Sequence, residues 1–278
     1  MPQNVTLQIN TDIPSRPEAL IKVTEALRAE HPNLEDICQS IKDDVALFTA
    51  VIATVNSAYF GLKQPINSIE RAVSLLGLKR TFNIIQIAAL RNSLSNIGTM
   101  ERFWDTATEV ARISAAISEE FSQLDTDQAY LLGMLHDCGI PLMMIAHPDF
   151  RDFLTTLNGC SLIEIHQQEI EKYGYSHYQL GAQLAEKWCL DEAIVTAIAR
   201  QPVYLETFSE PADEHEAMRL NLCLLLVAKD VSDAYRHYWR IHQQQDPLID
   251  LKPVLAFLGI SDFDYMDLKE DLVSRLNE

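Results

Sequence analysis

The placement of glycine limits what this chain can become more than any other feature does. Only nine glycines occur in 278 residues, and Gly77, Gly98, Gly159, Gly174 and Gly259 each follow an apolar-periodic segment. That is where a helix ends by turning its backbone left-handed. No stretch sustains the apolar–polar alternation of a half-buried strand. The chain therefore reads as all-α, a multi-helix fold.

Helix starts and faces support this reading. Ser15, Pro17 and Glu18 predict a capping box that opens a first helix, with Leu20, Val23, Thr24 and Leu27 on one face. Further helices are predicted over residues 34–42, from Asp44 through Leu47, Val51, Ile52 and Val55, and over residues 69–76 behind Ser68. Residues 79–93 carry Phe82, Ile85, Ala89 and Leu90 on one stripe. Residues 96–99 mark an internal boundary. Beyond it a helix bears Val110, Ile113, Ile117 and Phe121, and others are expected over residues 130–135, 161–173, 177–188 and 191–200. Residues 202–214, with Pro211 and several acids, read as a linker before a long helix at 216–241 and one or two short ones.

Composition excludes several functions. Unbroken apolar runs such as residues 140–146 and 222–228 reach seven residues, whereas a membrane-spanning helix needs roughly 20. Membrane insertion is not expected. The N-terminus shows no basic region followed by an apolar one, so the expected location is cytoplasmic. The five cysteines are scattered and never form a C-x-x-C pair, as buried free thiols would be. Lys plus Arg total 22 against 40 Asp plus Glu, giving 22 − 40 = −18, a field that repels nucleic acid and anionic lipid. Residues 68–93 superficially resemble a helix-turn-helix. Lys79, Arg80 and Arg91 are the only cations on the second helix, which reads as buried, and a recognition helix needs an exposed polar face.

One segment carries chemistry: an apolar leader, then His136-Asp137, then Gly139. Adjacent helical residues project about 100° apart, yet both can reach one ion at a helix end. Imidazole and carboxylate suit a divalent first-row metal. From the residues alone a capped, hydrogen-bonded core histidine stands ahead of a metal ligand.

The segment Gly133-Met134-Leu135-His136-Asp137-Cys138-Gly139 resembles the HD motif of metal-dependent phosphohydrolases, and its surroundings resemble the HDOD variant. The resemblance runs through Ile13-Pro14-Ser15-Arg16-Pro17, residues 43–47, Asn56-Ser57-Ala58-Tyr59-Phe60-Gly61, residues 66–69 and 72–77, His177 to Gly181, and Trp188 to Leu190. It covers residues 12–205: an N-terminal helical lobe at 12–98 and an HD-like lobe at 99–205, with 206–278 as a C-terminal helical extension expected to pack on the HD-like lobe.

A working HD enzyme sets a histidine, the His-Asp pair and a distant aspartate around metal. Mapped here, the first histidine falls near residues 103–107, where Asp105 and Thr106 stand. The final aspartate falls at Lys229, with Asp230 one residue late and so turned about 100° away. The paired histidines of the related HD-GYP phosphodiesterases would fall at residues 199–201, which hold none. His136, Asp137, His177, Asp105, Lys229 and Asp230 then form a vestigial site, with no cofactor expected beyond a weak residual divalent metal. Asn56, Ser57, Tyr59 and Gly61 close a helix, as scaffold or as an interaction surface.

The resemblance implies a non-catalytic regulatory protein in bacterial signalling, acting through protein partners beside cyclic-di-GMP enzymes. A peptide or partner helix would dock in the cleft between the two lobes. The alternative it implies is a metal-dependent phosphohydrolase acting on a nucleotide or cyclic dinucleotide through His136, Asp137, His177 and Asp105.

Overall fold

A computed structural model describes residues 13–29, 32–57, 62, 64–94, 100–120, 125–209, 216–237 and 249–276. Among these the only regular structure is helical, and the chain divides into two compact units, Pro14–Gly98 and Thr99–Glu278, the second taking in Ile13. Boundary residues 96–99 and the predicted cap at Gly98 lie outside the described residues.

The first unit holds α1 (Glu18–Arg28), α2 (Leu34–Lys42), α3 (Val45–Val55), α4 (Ile69–Leu76) and α5 (Leu78–Ser93). Asn33, Asp44 and Ser68 cap α2, α3 and α4 by accepting first-turn backbone N–H groups. The expected capping box at Ser15 does not form. Helix α1 begins at Glu18 behind Pro17, whose backbone is extended (φ −57°, ψ 146°), which leaves Ser15 too far upstream to reach the first turn. Leu20, Val23, Ile37, Ile41, Leu47, Val51, Ile69, Val73 and Ile85 fill the core. At Gly77 the axes of α4 and α5 bend by 114°, through a backbone at φ +79°, ψ 160°. Asn56 acts here as a brace. Its amide donates to the Ile66 carbonyl and its oxygen accepts from the Ile66 N–H, both at 2.7 Å, closing the intervening loop. Ser57 beside it is exposed, and Tyr59 and Gly61 lie outside the described residues.

The second unit is built around α14 (Glu216–His237). Its residues 222–228 are buried on every side, so this helix is a core element rather than an amphipathic one. Against it pack α6 (Glu101–Glu120), α7 (Thr126–Leu135), α12 (Glu192–Arg200), α15 (Lys252–Leu258) and α16 (Asp262–Arg275). Helices α6 and α7 lie so close that a Cβ on Gly133 would stand 2.5 Å from the Ala111 Cα. Between α7 and α12 the chain adds α8 (Gly139–Ala146), α9 (Phe150–Thr156), α10 (Leu162–Tyr173) and α11 (His177–Lys187). Ser161 and Ser176 form capping boxes with Glu164 and Gln179 at the starts of α10 and α11.

Three sequence expectations need amendment. Residues 202–214 are not wholly a linker: a 3-10 turn at Gln201–Val203 leads into α13 (Tyr204–Ser209), held because Tyr204 and Thr207 are buried and the Tyr204 hydroxyl accepts from the Asp250 N–H at 2.8 Å. All five cysteines are free thiols, but Cys189 is exposed and Cys160 half-buried. The stretch Thr126–Ala146 is long and apolar enough to cross a membrane by composition; 67% of its 18-residue apolar window is buried inside the unit, as in a core helix pair.

Candidate functional site

The site follows from how α7 ends. His136 and Asp137 continue its last turn, and Gly139 then opens α8. A Cβ on Gly139 would lie 1.9 Å from the His177 carbonyl oxygen and 2.7 Å from the Gly181 nitrogen. Only glycine lets α8 and α11 cross at backbone contact, and that crossing sets His177, the first residue of α11, against Asp137.

His136 is buried. Its Nδ1–H donates to the Gly133 carbonyl at 2.7 Å, and its Nε2 lies 3.1 Å from Asp137 Oδ2. Asp137 Oδ1 meets two cationic side chains, Lys229 Nζ at 3.2 Å and His177 Nε2 at 3.8 Å. On its other edge His177 Nδ1 donates to Glu169, 2.7 and 2.8 Å from the two oxygens, while the His177 backbone N–H donates to Glu169 Oε2 at 2.8 Å. Glu169 is fully buried, on α10. Lys229 also donates to Gln201 Oε1 at 2.9 Å, and the Gln201 amide donates to the His136 carbonyl at 2.8 Å. The Tyr178 ring stacks on His177 with centroids 3.8 Å apart and has Lys229 Nζ 5.9 Å from its centre.

Burial would push the Asp137 carboxyl up, but His136 and Lys229 outweigh it and hold the group well below the usual carboxylate range. Burial likewise works against a charged His177, yet Glu169 and then Asp137 raise its pKa to about 9. Cys138 is driven up to about 12 by burial and then by Asp137, so it stays a thiol and donates weakly to the Gly181 carbonyl at 3.6 Å. The polar atoms here satisfy one another.

The raised His177 value sets a pH dependence. The stability it contributes is complete below the value of an unfolded histidine, near 6.5, and is lost as pH rises through about 9. The depressed Asp137 value acts at the other end: its contribution is present above the ordinary aspartate range and lost only as pH falls well below it. Urea unfolding at pH 7.5 and pH 10 should show wild-type stability dropping over that interval. A His177→Gln variant, less stable throughout, should lack that component of the drop.

The structure brings together His136, Asp137, His177 and Lys229, and leaves out two other sequence candidates. Asp105 is exposed on α6, about two residues out of phase with the buried positions Ala107, Val110 and Ala111, so it faces away. Asp230 turns to α16, where it accepts from Lys269 at 2.5 Å and from the Tyr265 hydroxyl. Glu169, Gln201 and Tyr178 were not foreseen. Glu169 had a signal, since it sits seven residues after Leu162 on the buried stripe of α10, where an acid needs a partner. Gln201 had none.

An HD-type metal does not fit this set. Among the described residues no group of three or more His, Cys, Asp or Glu side chains is arranged to hold one. The Lys229 ammonium moreover takes the Asp137 oxygen that a cation would need, and would repel a divalent ion.

Comparison with known proteins agrees with this architecture. The family model described as HDOD domain matches residues 13–203. An uncharacterized protein of Treponema pallidum (strain Nichols) is 27% identical over 212 residues, covering 71% of this chain and 41% of that protein, so the chain spans about two fifths of its relative's length. A crystal structure of a protein from Shewanella amazonensis SB2B, provisionally named a phosphohydrolase, superposes with TM-score 0.69 at 20% identity, covering 94% of this chain and 90% of that one. An HDOD domain protein with unknown function from Geobacter sulfurreducens gives 0.61 at 21% identity, with 95% and 90% covered. A protein from Marinobacter aquaeolei VT8, provisionally named a signal transduction protein, gives 0.69 at 20% identity, with 95% of this chain and 57% of that one covered.

Proposed function

This chain belongs to the HDOD domain family, and we propose that it is a non-catalytic signal-transduction protein that regulates protein partners. One observation carries the reading: the ammonium of Lys229, the residue that the resemblance maps onto the final metal-ligating aspartate, is bonded to Asp137 and Gln201. A hydrolytic centre of the HD type needs a metal with an open position to lower the pKa of bound water and polarise the phosphoryl oxygen. Here a cation of the chain itself already neutralises the carboxylate. Neither histidine of the centre is left in the role of a base, because His177 is held between Glu169 and Asp137 and His136 between Gly133 and Asp137.

The name of the Marinobacter aquaeolei protein supports a signalling role, and the net charge of −18 supports protein rather than nucleic acid as the partner. A link to cyclic-di-GMP enzymes and a cytoplasmic location belong to the same proposal. The test is hydrolysis of bis(p-nitrophenyl) phosphate and of cyclic-di-GMP in the presence of Mn²⁺. Wild type should show no rate above that of a His136→Ala variant. A wild-type rate abolished in His136→Ala would instead establish a phosphohydrolase.

A further inference from the structure

Helix α16 has two unlike faces. Tyr265 and Leu272 are buried, and Tyr265 and Lys269 reach inward to Asp230 on α14. On the outward face Phe263 is 81% and Met266 63% exposed. They lie three residues apart, so they are neighbours across one turn. An exposed large apolar side chain is ordinary by itself. An aromatic ring and a methionine side by side on a rigid helix, with nothing of the described chain over them, are the side-chain types that anchor protein contacts.

The surround of this pair decides what could cover it. Asp262, Asp264, Asp267, Glu270 and Asp271 are all exposed on the same helix. Its two cations are committed: Lys269 to Asp230, and Arg275 to Asp271 at 2.6 Å and Glu120 at 3.5 Å. A second copy would bring Asp267 and Glu270 against their own equivalents, and anionic lipid would meet the same repulsion.

We propose that the outward face of α16 is a docking surface, on which Phe263 and Met266 insert into an apolar pocket of a partner protein rimmed by Lys and Arg. This extends the regulatory reading by giving it a surface. The test below reads peptide binding, so it fails separately from the hydrolysis assay that tests the closed centre.

The experiment titrates the full chain into a fluorescein-labelled helical peptide of Leu and Lys and follows anisotropy, with a Leu/Glu peptide of equal length as control. Wild type is expected to bind the Leu/Lys peptide and not the Leu/Glu one. A Phe263→Ala/Met266→Ala variant should bind at least about tenfold more weakly, and it should melt with wild type because both side chains are exposed. That variant keeps every charge, so equal binding by the two proteins would reduce the effect to net charge and overturn the proposal. No binding by wild type overturns it as well. So does a dimer, seen by sedimentation equilibrium, that the double substitution abolishes.

Discussion

A Gly139→Ala variant is expected to accumulate as unfolded or aggregated protein, or at best to melt far below wild type. The added methyl group would stand 1.9 Å from the His177 carbonyl oxygen and 2.7 Å from the Gly181 nitrogen. Both obstacles are backbone, so no side chain can swing aside, and relief requires α8 and α11 to separate. Overpacking in a core typically costs 1–3 kcal/mol and more where nothing can yield, and here we expect more than about 3 kcal/mol. Gly181→Ala is the matched control. Its methyl would meet the Gly139 nitrogen at 3.1 Å and Cys138 Sγ and Ile198 Cγ2 at 3.4 Å, contacts that a shift of tenths of an ångström relieves. Its expected cost is about 1–2 kcal/mol. Urea denaturation of the two variants decides the matter: equal stabilities would mean that the crossing is looser than described.

Loss of Glu169 should be nearly as severe. A Glu169→Ala variant leaves the His177 imidazolium buried with Asp137 as its one remaining anionic neighbour, at 3.8 Å. It also strips the acceptor from the His177 backbone N–H in the first turn of α11. Removing one partner of a buried ion pair costs about 3–5 kcal/mol. Glu169→Gln keeps the volume and one acceptor, and should cost about 1.5–3 kcal/mol. Because Glu169 is the chief reason that the His177 value stands near 9, the Gln variant should also move the alkaline loss of stability to lower pH. A Gln variant as stable as wild type would show that packing and the backbone acceptor, not charge, are what Glu169 supplies.

These two residues mark where sequence reasoning stops. Most helices were legible because their ends are announced locally: Asn33, Asp44, Ser68, Ser161 and Ser176 cap starts, and left-handed Gly174 and Gly259 end helices, whereas α8 and α9, which have no side-chain cap, are missing from the expected helices. A local signal also misled. Ser15 with Glu18 has the spacing of a capping box, but Pro17 holds an extended backbone and delays the helix. The His136-Asp137 pair was visible as a motif, and Lys229 as a cation out of place. The glutamine that joins them was not. Gln201 lies 65 positions from His136 and 28 from Lys229, and joins them only because α12 and α14 pack together. Burial of a polar side chain is a property of the packed fold, and the sequence shows it only where the residue sits on an apolar stripe, as Glu169 does.

The most direct test of the central claim is the metal content of protein purified without a histidine tag or chelator, measured by mass spectrometry beside His136→Ala. If Lys229 takes the place of the ion, wild type and variant should both carry less than about 0.1 equivalent of manganese, iron or zinc. Near-stoichiometric metal in wild type, lost on changing His136, would contradict the account and restore the chain to the phosphohydrolases.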